Sequence, residues 1–158
     1  MVLNANGDPG RLGDLDLPIV ADSQTGFAGP LAGILAGLDY AAEQGHSAIL
    51  TVAADTPFFP RDLASQLDKA QGEVGLSLAA TREAGKIWPQ PTFGLWPTAL
   101  REDLRQALNG GLRKVLHWTD RHDAGFAIWE ADLFDPFFNI NTPDDLSEAE
   151  ARVEDTGV

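Results

Sequence analysis

The chain has 158 residues, 44% of them apolar, and carries 11 basic against 24 acidic side chains for a formal net charge of −13. That size and apolar share suit one folded domain, and the acidic surplus argues against bulk attraction to nucleic acid or anionic lipid. There is no cysteine, which excludes a disulfide scaffold, a cysteine zinc site, a thiolate nucleophile and an iron–sulfur cluster.

Val2-Leu3-Asn4-Ala5 reads as the tail of a strand, and the acidic, turn-rich residues 7–17 as a loop. Pro18-Ile19-Val20-Ala21 is a short strand ending at Asp22, and Thr25-Gly26-Phe27-Ala28-Gly29 a flexible loop. Pro30 suits the first position of a helix, and Leu31, Ile34, Leu35 and Leu38 keep the helical period until Gly45. Ala48 to Ala53 is a continuous apolar run, as in a strand covered on both faces. Pro60 opens a helix carrying Leu63 and Leu67, Val74 to Ala80 is a strand, and Arg82 to Lys86 a polar turn. Thr92 to Trp96 is a strand, and Pro97 starts a helix that Gly110-Gly111 breaks. Leu112 to Trp118 is a second short helix, Phe126 to Trp129 a strand, Phe137 to Asn141 a short strand or turn, and the last helix runs from Pro143 to about Val153. Strands alternating with helices predict an α/β domain with a mostly parallel sheet, whose ligands sit just beyond the carboxyl ends of strands.

The candidate site residues therefore follow the strands. The amides of Asn4 and Asn6 can donate to and accept from a base or ribose, although Asn6-Gly7 is also a common turn pair. Asp22 can accept the amino and imino groups of a guanine edge, or simply shape a turn. Gly29 and Gly33 frame the start of the first long helix, where free N–H groups favour anions and a missing Cβ admits a close neighbour. Asp55 ends a buried strand, where a carboxylate can hold Mg²⁺ against substrate phosphates; Asp-Thr-Pro is equally a strand-to-helix turn. Asn139 and Asn141 alternate along an extended segment and share a side. Thr142, Pro143 and Asp145 after them make a helix start with Asp in place of the usual Glu. His46, His117 and His122 are scattered without metal-ligand spacing, and neither GxSxG nor a P-loop is present. No run approaches the roughly 18 apolar residues of a membrane span. MVLNANGDPG lacks the basic and apolar regions of a signal peptide, so the expected location is cytoplasmic.

The order and spacing of Asn4-Ala5-Asn6, Ala21-Asp22-Ser23, Gly29-Pro30-Leu31-Ala32-Gly33, Asp55-Thr56-Pro57, Gln90-Pro91-Thr92-Phe93-Gly94-Leu95 and Asn139-Ile140-Asn141-Thr142-Pro143 resemble the molybdenum cofactor guanylyltransferases. The resemblance implies a nucleotidyltransferase with a Rossmann-like three-layer αβα sandwich over the whole chain. It also implies transfer of GMP from GTP to molybdopterin, with Mg²⁺ and release of pyrophosphate. By the same resemblance Asn4 lies at the guanine-nucleotide site, Asp22 reads the guanine and Asp55 binds the metal. Gly29, Gly33, Asn139 and Asn141 belong to the catalytic centre and the pterin side. The related cytidylyltransferases lack the Gly-Pro-Leu-Ala-Gly run and tend to carry aspartates where Asn139 and Asn141 stand, so GTP is the expected nucleotide.

The sequence departs from the family at its start. The family opens with a strand, a glycine-rich loop of the LAGGxSxRMGxDK type that wraps the triphosphate, and a helix; none of these is present in the 158 residues. The expectation is a domain short of its N-terminal βα unit by roughly 40–50 residues, with two neighbouring strands unpaired and turnover impaired. The competing expectations are a non-catalytic pterin- or partner-binding remnant that docks on a molybdoenzyme, and a nucleotidyltransferase using CTP or a sugar phosphate. Arg82, Lys86, Arg113 and Lys114 are read as solvated surface charge.

Overall fold

The structure, a computed structural model, describes residues 1–22, 29–131 and 135–156, with side chains to residue 153. Ser23 and the loop expected at Thr25–Ala28 lie outside the described residues. Among these residues, six strands and five α-helices follow one another as β1 (Leu3–Asn4), β2 (Ile19–Val20), α1 (Pro30–Glu43), β3 (Ala48–Thr51), α2 (Leu63–Lys69), β4 (Ser77–Glu83), β5 (Lys86–Pro97), α3 (Arg101–Asn109), α4 (Val115–Thr119), β6 (Gly125–Glu130) and α5 (Pro143–Thr156). Short 3₁₀ turns at Pro9–Leu12, Thr98–Leu100 and Asp120–His122 complete the path.

The α/β layering read from the sequence is present, but the sheet is mixed rather than mostly parallel. Strands β3-β5-β4-β6 form one four-stranded sheet in which β5 runs antiparallel to both neighbours and β6 parallel to β4; β1 and β2 form a separate parallel pair. The cause is local. Ala84 and Gly85 both take positive φ, 47° and 77°, the backbone of a two-residue hairpin turn, and a tight hairpin joins only antiparallel strands.

That hairpin also lengthens β5 well beyond the expected Thr92–Trp96. Pro89 and Pro91 are tolerated because β3 pairs β5 only over residues 94–97, so the earlier part of β5 has a free edge where no N–H is needed. A register shift between Leu78 and Ala79 opens a bulge around Pro91. Strand β4 starts at Ser77 rather than Val74 because the chain first turns through Gly75 (φ 82°), with Gly75 N–H bonded to Gly72 O at 2.9 Å. Helix α2 begins at Leu63, after a turn in which Leu63 N–H donates to Pro60 O at 3.0 Å.

One face of the sheet packs against α1, α3 and α4 through Leu31, Ile34, Leu35, Leu38, Leu76, Leu78, Trp96, Leu104, Leu108 and Trp118. The opposite face packs against α2 through Leu63, Leu67, Ala79, Phe93, Ala127 and Phe137. The buried indoles are satisfied, Trp96 by Thr51 Oγ1 and Trp118 by Asp103 Oδ1, each at 2.8 Å. Arg105 ties α3 to α1 through Asp39 at 2.6 Å. Helix α1 rests on β1, β2 and β3, while among the described residues β1 pairs with β2 alone and β3 with β5 alone. The sheet is therefore in two parts beneath one helix.

Candidate functional site

Two polar clusters form beyond strand ends. The first follows β1 and β2. Their parallel register sets Asn4 beside Val20, which leaves Asn4, Asn6 and Asp22 on neighbouring chain exits. Asn4 Nδ2 donates to Val20 O at 3.0 Å and to Asp22 Oδ1 at 3.1 Å. Asn6 Nδ2 donates to Asp22 Oδ2 at 2.8 Å, and Asp22 N–H returns a bond to Asn6 Oδ1 at 2.9 Å. Each carboxylate oxygen thus accepts one amide and keeps lone-pair capacity outward. Two amides fix the plane of the carboxylate, which lets it meet a pair of parallel donors at little entropic cost.

The first turn of α1 closes over this cluster. A Cβ on Gly33 would stand 2.3 Å from Asn4 Oδ1, so glycine is the residue that leaves Asn4 in place. Gly29 is the residue before the helix, with φ 138°, a value side-chain-bearing residues rarely adopt, and Pro30 follows at the first helical position.

The second cluster follows β3. Asp55 is exposed, whereas Thr56 beside it is 1% exposed. The Thr56 hydroxyl lies 2.6 Å from Asn139 Oδ1 and 3.2 Å from Asp55 Oδ1, both acceptors for its single proton. Ile140 N–H donates to Asp55 O at 2.8 Å, which pins the segment bearing Asn139 and Asn141 against the end of β3. Asn141 contributes its backbone N–H to Asp145 Oδ2 at 2.9 Å, Thr142 N–H does the same at 2.8 Å, and Asp145 N–H bonds Thr142 Oγ1 at 3.2 Å. This is the reciprocal cap read from the sequence. The backbone donor at Asn141, followed by the Thr142 hydroxyl and backbone, holds the Asp145 carboxyl below its usual range.

The structure thus joins Asn4 to Asp22 and Gly33, and Asp55 to Asn139, with Asn141 carried on the same pinned segment. Among the described residues no side-chain hydrogen bond or ion pair links the two clusters, and no Lys or Arg is paired with Asp22 or Asp55. Helix α1 connects them in the chain, starting beside Asn4 and leading into β3, which Asp55 follows. Arg82 pairs with Glu130 across β4 and β6, and Arg113 donates to Leu108 O and Leu112 O behind α3.

The sequence pattern does not mark Thr56 as a member of the site. Thr56 looked like a turn former, and only its burial against Asn139, 83 positions away, shows the bridge. Asn6, a candidate beside Asn4 in the sequence, is brought onto Asp22 as well.

No group of three or more His, Asp or Glu side chains able to hold a metal unaided occurs among the described residues. Mg²⁺ does not require one: it is commonly held by one or two carboxylates together with substrate phosphates. Asp55 meets that need, since it is exposed and only its Oδ1 is engaged.

Residues 1–124 match the family model of the MobA-like NTP transferase domain. The chain is 48% identical to the molybdenum cofactor guanylyltransferase of Rhodopseudomonas palustris (strain HaA2), over 95% of this chain and 71% of that protein. It is likewise 48% identical to the one from Bradyrhizobium sp. (strain ORS 278), over 98% and 74%. Among solved structures, the molybdopterin-guanine dinucleotide biosynthesis protein A of Archaeoglobus fulgidus superposes with a TM-score of 0.69 at 24% identity, over 98% of this chain and 78% of that one. A putative protein from Aquifex aeolicus superposes at 0.64 and 19%, over 85% and 68%. The two structural likenesses bear on the fold alone.

Proposed function

The chain belongs to the MobA-like NTP transferase family, and on that premise we propose that it is a molybdenum cofactor guanylyltransferase, moving GMP from GTP to molybdopterin and releasing pyrophosphate. The observation that carries the guanine reading is the Asp22 carboxylate held by Asn4 and Asn6. Guanine offers an imino and an amino donor side by side, which a fixed carboxylate accepts as a pair. Cytosine and adenine present an acceptor beside their amino group, so the same carboxylate meets a lone pair and loses one bond.

The other residues take roles that follow from their place. Gly29 leaves open space before the first turn of α1, where a helix start favours an anion such as a nucleotide phosphate, and Gly33 leaves room for Asn4. Asp55, with Asn139 beside it, would hold Mg²⁺, which when bound supplies positive charge against the α-phosphate in a chain of net charge −13. Thr56 keeps Asp55 and Asn139 in mutual register. The reaction joins a terminal phosphate oxygen of molybdopterin to the α-phosphorus of GTP and breaks the bond to pyrophosphate. It needs alignment and charge neutralisation rather than a protein nucleophile, in keeping with a site of amides, one hydroxyl and carboxylates. Asn139 and Asn141 stand on the acceptor side of that centre.

The reading takes the chain as one nucleotidyltransferase domain, working in the cytoplasm and passing its product to molybdoenzymes. No described helix is long and apolar enough to cross a membrane. Two measurements test it: equilibrium binding of GTP and CTP, and pyrophosphate release with GTP and molybdopterin. GTP should bind at least tenfold more tightly than CTP. Asp55→Ala should abolish turnover with an unchanged melting temperature, since Asp55 is exposed. Equal binding of CTP, or full turnover by Asp55→Ala, overturns the reading.

A further inference from the structure

Three side chains stand in a row across three strands, on the face of the sheet that carries α2. Trp88 of β5 is the register partner of Thr81 of β4, and Thr81 that of Trp129 of β6. Register partners point to the same side of a sheet, and alternate residues of a strand do too. The side is fixed by Ser77, whose hydroxyl donates to Leu67 O of α2 at 2.8 Å, and by Ala79, which packs with Leu63 and Leu67.

The row begins at Trp129, against the segment that leads to Asn139, and runs outward. Trp129 donates its indole N–H to Asp62 Oδ1 at 3.2 Å and meets the ring of Phe137, centroids 5.5 Å apart. Phe137 lies two residues before Asn139. Thr81 is buried, but Trp88 is 52% exposed, more than any other aromatic side chain among the described residues. Its strand is held by the hairpin pairing from Arg82–Ile87 to Glu83–Lys86, so the backbone that presents the indole is fixed. Gln90, two residues on and on the same side, has its amide nitrogen 3.4 Å from Thr81 Oγ1. Its amide oxygen makes no hydrogen bond among the described residues, and that leaves an acceptor at the edge of the indole.

The topology gives this surface a partner. Strands β3 and β4 each run antiparallel to β5, so the carboxyl ends of both, with Asp55 beyond one and Thr81 to Glu83 at the other, lie at the same edge. The Asn4–Asp22 cluster sits on β1 and β2, a pair separate from the sheet of β3, β5, β4 and β6. A nucleotide there and a ring on Trp88 would therefore stand on different sheets, with Asp55 following β3.

We propose that Trp88 is the stacking platform for the pterin ring of the acceptor, with the Gln90 amide reading the ring's polar edge. This rests on the functional reading above and names its second substrate site. A planar heteroaromatic ring stacked on an indole loses roughly tenfold in affinity when the indole is removed.

The test uses the full chain with GTP and molybdopterin. Trp88→Ala should raise the KM for molybdopterin roughly tenfold and leave GTP affinity and melting temperature unchanged; Trp88→Phe should restore most of the loss. In a titration with molybdopterin alone, part of the tryptophan fluorescence quenching should vanish in Trp88→Phe while affinity persists. An unchanged KM in Trp88→Ala overturns the platform even when GTP binds normally. A dimer that becomes monomeric in Trp88→Ala with KM unchanged overturns it in favour of contact between copies of the chain. If the native protein does not bind GTP, the functional reading falls by itself, and failure of molybdopterin to quench Trp88 then removes the platform as well.

Discussion

Substituting Gly33 by alanine separates binding from stability. The new methyl would stand 2.3 Å from Asn4 Oδ1 and 3.1 Å from Asn4 Cγ, so Asn4 must swing away. It is exposed and free to do so, at the loss of its bonds to Val20 O and Asp22 Oδ1. Each exposed bond contributes about 0.5–1.5 kcal/mol, and alanine returns up to about 1 kcal/mol of helix preference over glycine. Two such bonds come to about 1–3 kcal/mol, so the net loss of stability should be about 0–2 kcal/mol once alanine's gain is counted, a melting shift below about 8 °C for a chain of this length. Asp22, however, loses the donor that orients one of its oxygens. Hydrogen bonds to a charged group are worth about 1.5–3 kcal/mol, so GTP affinity should fall roughly ten- to hundredfold. Calorimetry reads both quantities. Asn4→Ala should reproduce the binding loss, and the double variant should be no worse than either single one, because both remove the same contact. Unaltered GTP affinity in Gly33→Ala, or additive losses in the double variant, refutes the reasoning.

Thr56→Val should cost about 0.5–1.5 kcal/mol, because the bond from the buried Thr56 hydroxyl to the exposed Asn139 side chain is lost and water can take its place on Asn139. It should also slow turnover more than it weakens GTP binding, measured by urea unfolding and steady-state kinetics. Gly125→Ala should unfold the domain or cost at least about 4 kcal/mol in thermal melts, since its Cβ would fall 1.6 Å from the backbone oxygen of Ala70. Burial pushes the Asp103 carboxyl up, but the donors His122 and Trp118 outweigh it and hold the group below its usual range. Its contribution is then complete above the unfolded-state value of about 3.9 and fades as pH falls through the lower folded value. Urea midpoints of Asp103→Asn should therefore be lower at neutral pH and decline less than the parent's below about pH 4; parallel acid limbs would refute the link.

The chain's own order of residues determined much of this. The helical period from Leu31 to Leu38, the proline at position 30 and the reciprocal cap of Thr142 and Asp145 are local physics, set within a few residues, and α1 and the start of α5 stand where that physics puts them. Candidate residues just beyond strands were legible for the same reason, because strand ends are written in short apolar runs. Strand direction was not. The positive φ of Ala84 and Gly85 is a property of the folded turn, and it reverses β5 and makes the sheet mixed. The reach of β5 through two prolines depends on which stretch of its edge a neighbour covers. Contacts across long separations were out of reach as well. The bond from Thr56 to Asn139 spans 83 positions, and the row of Trp88, Thr81 and Trp129 exists only because three strands share a register. Periodicity reports what a residue's neighbours in the chain require; which distant atom meets a hydroxyl or an indole is decided by how the layers close over each other.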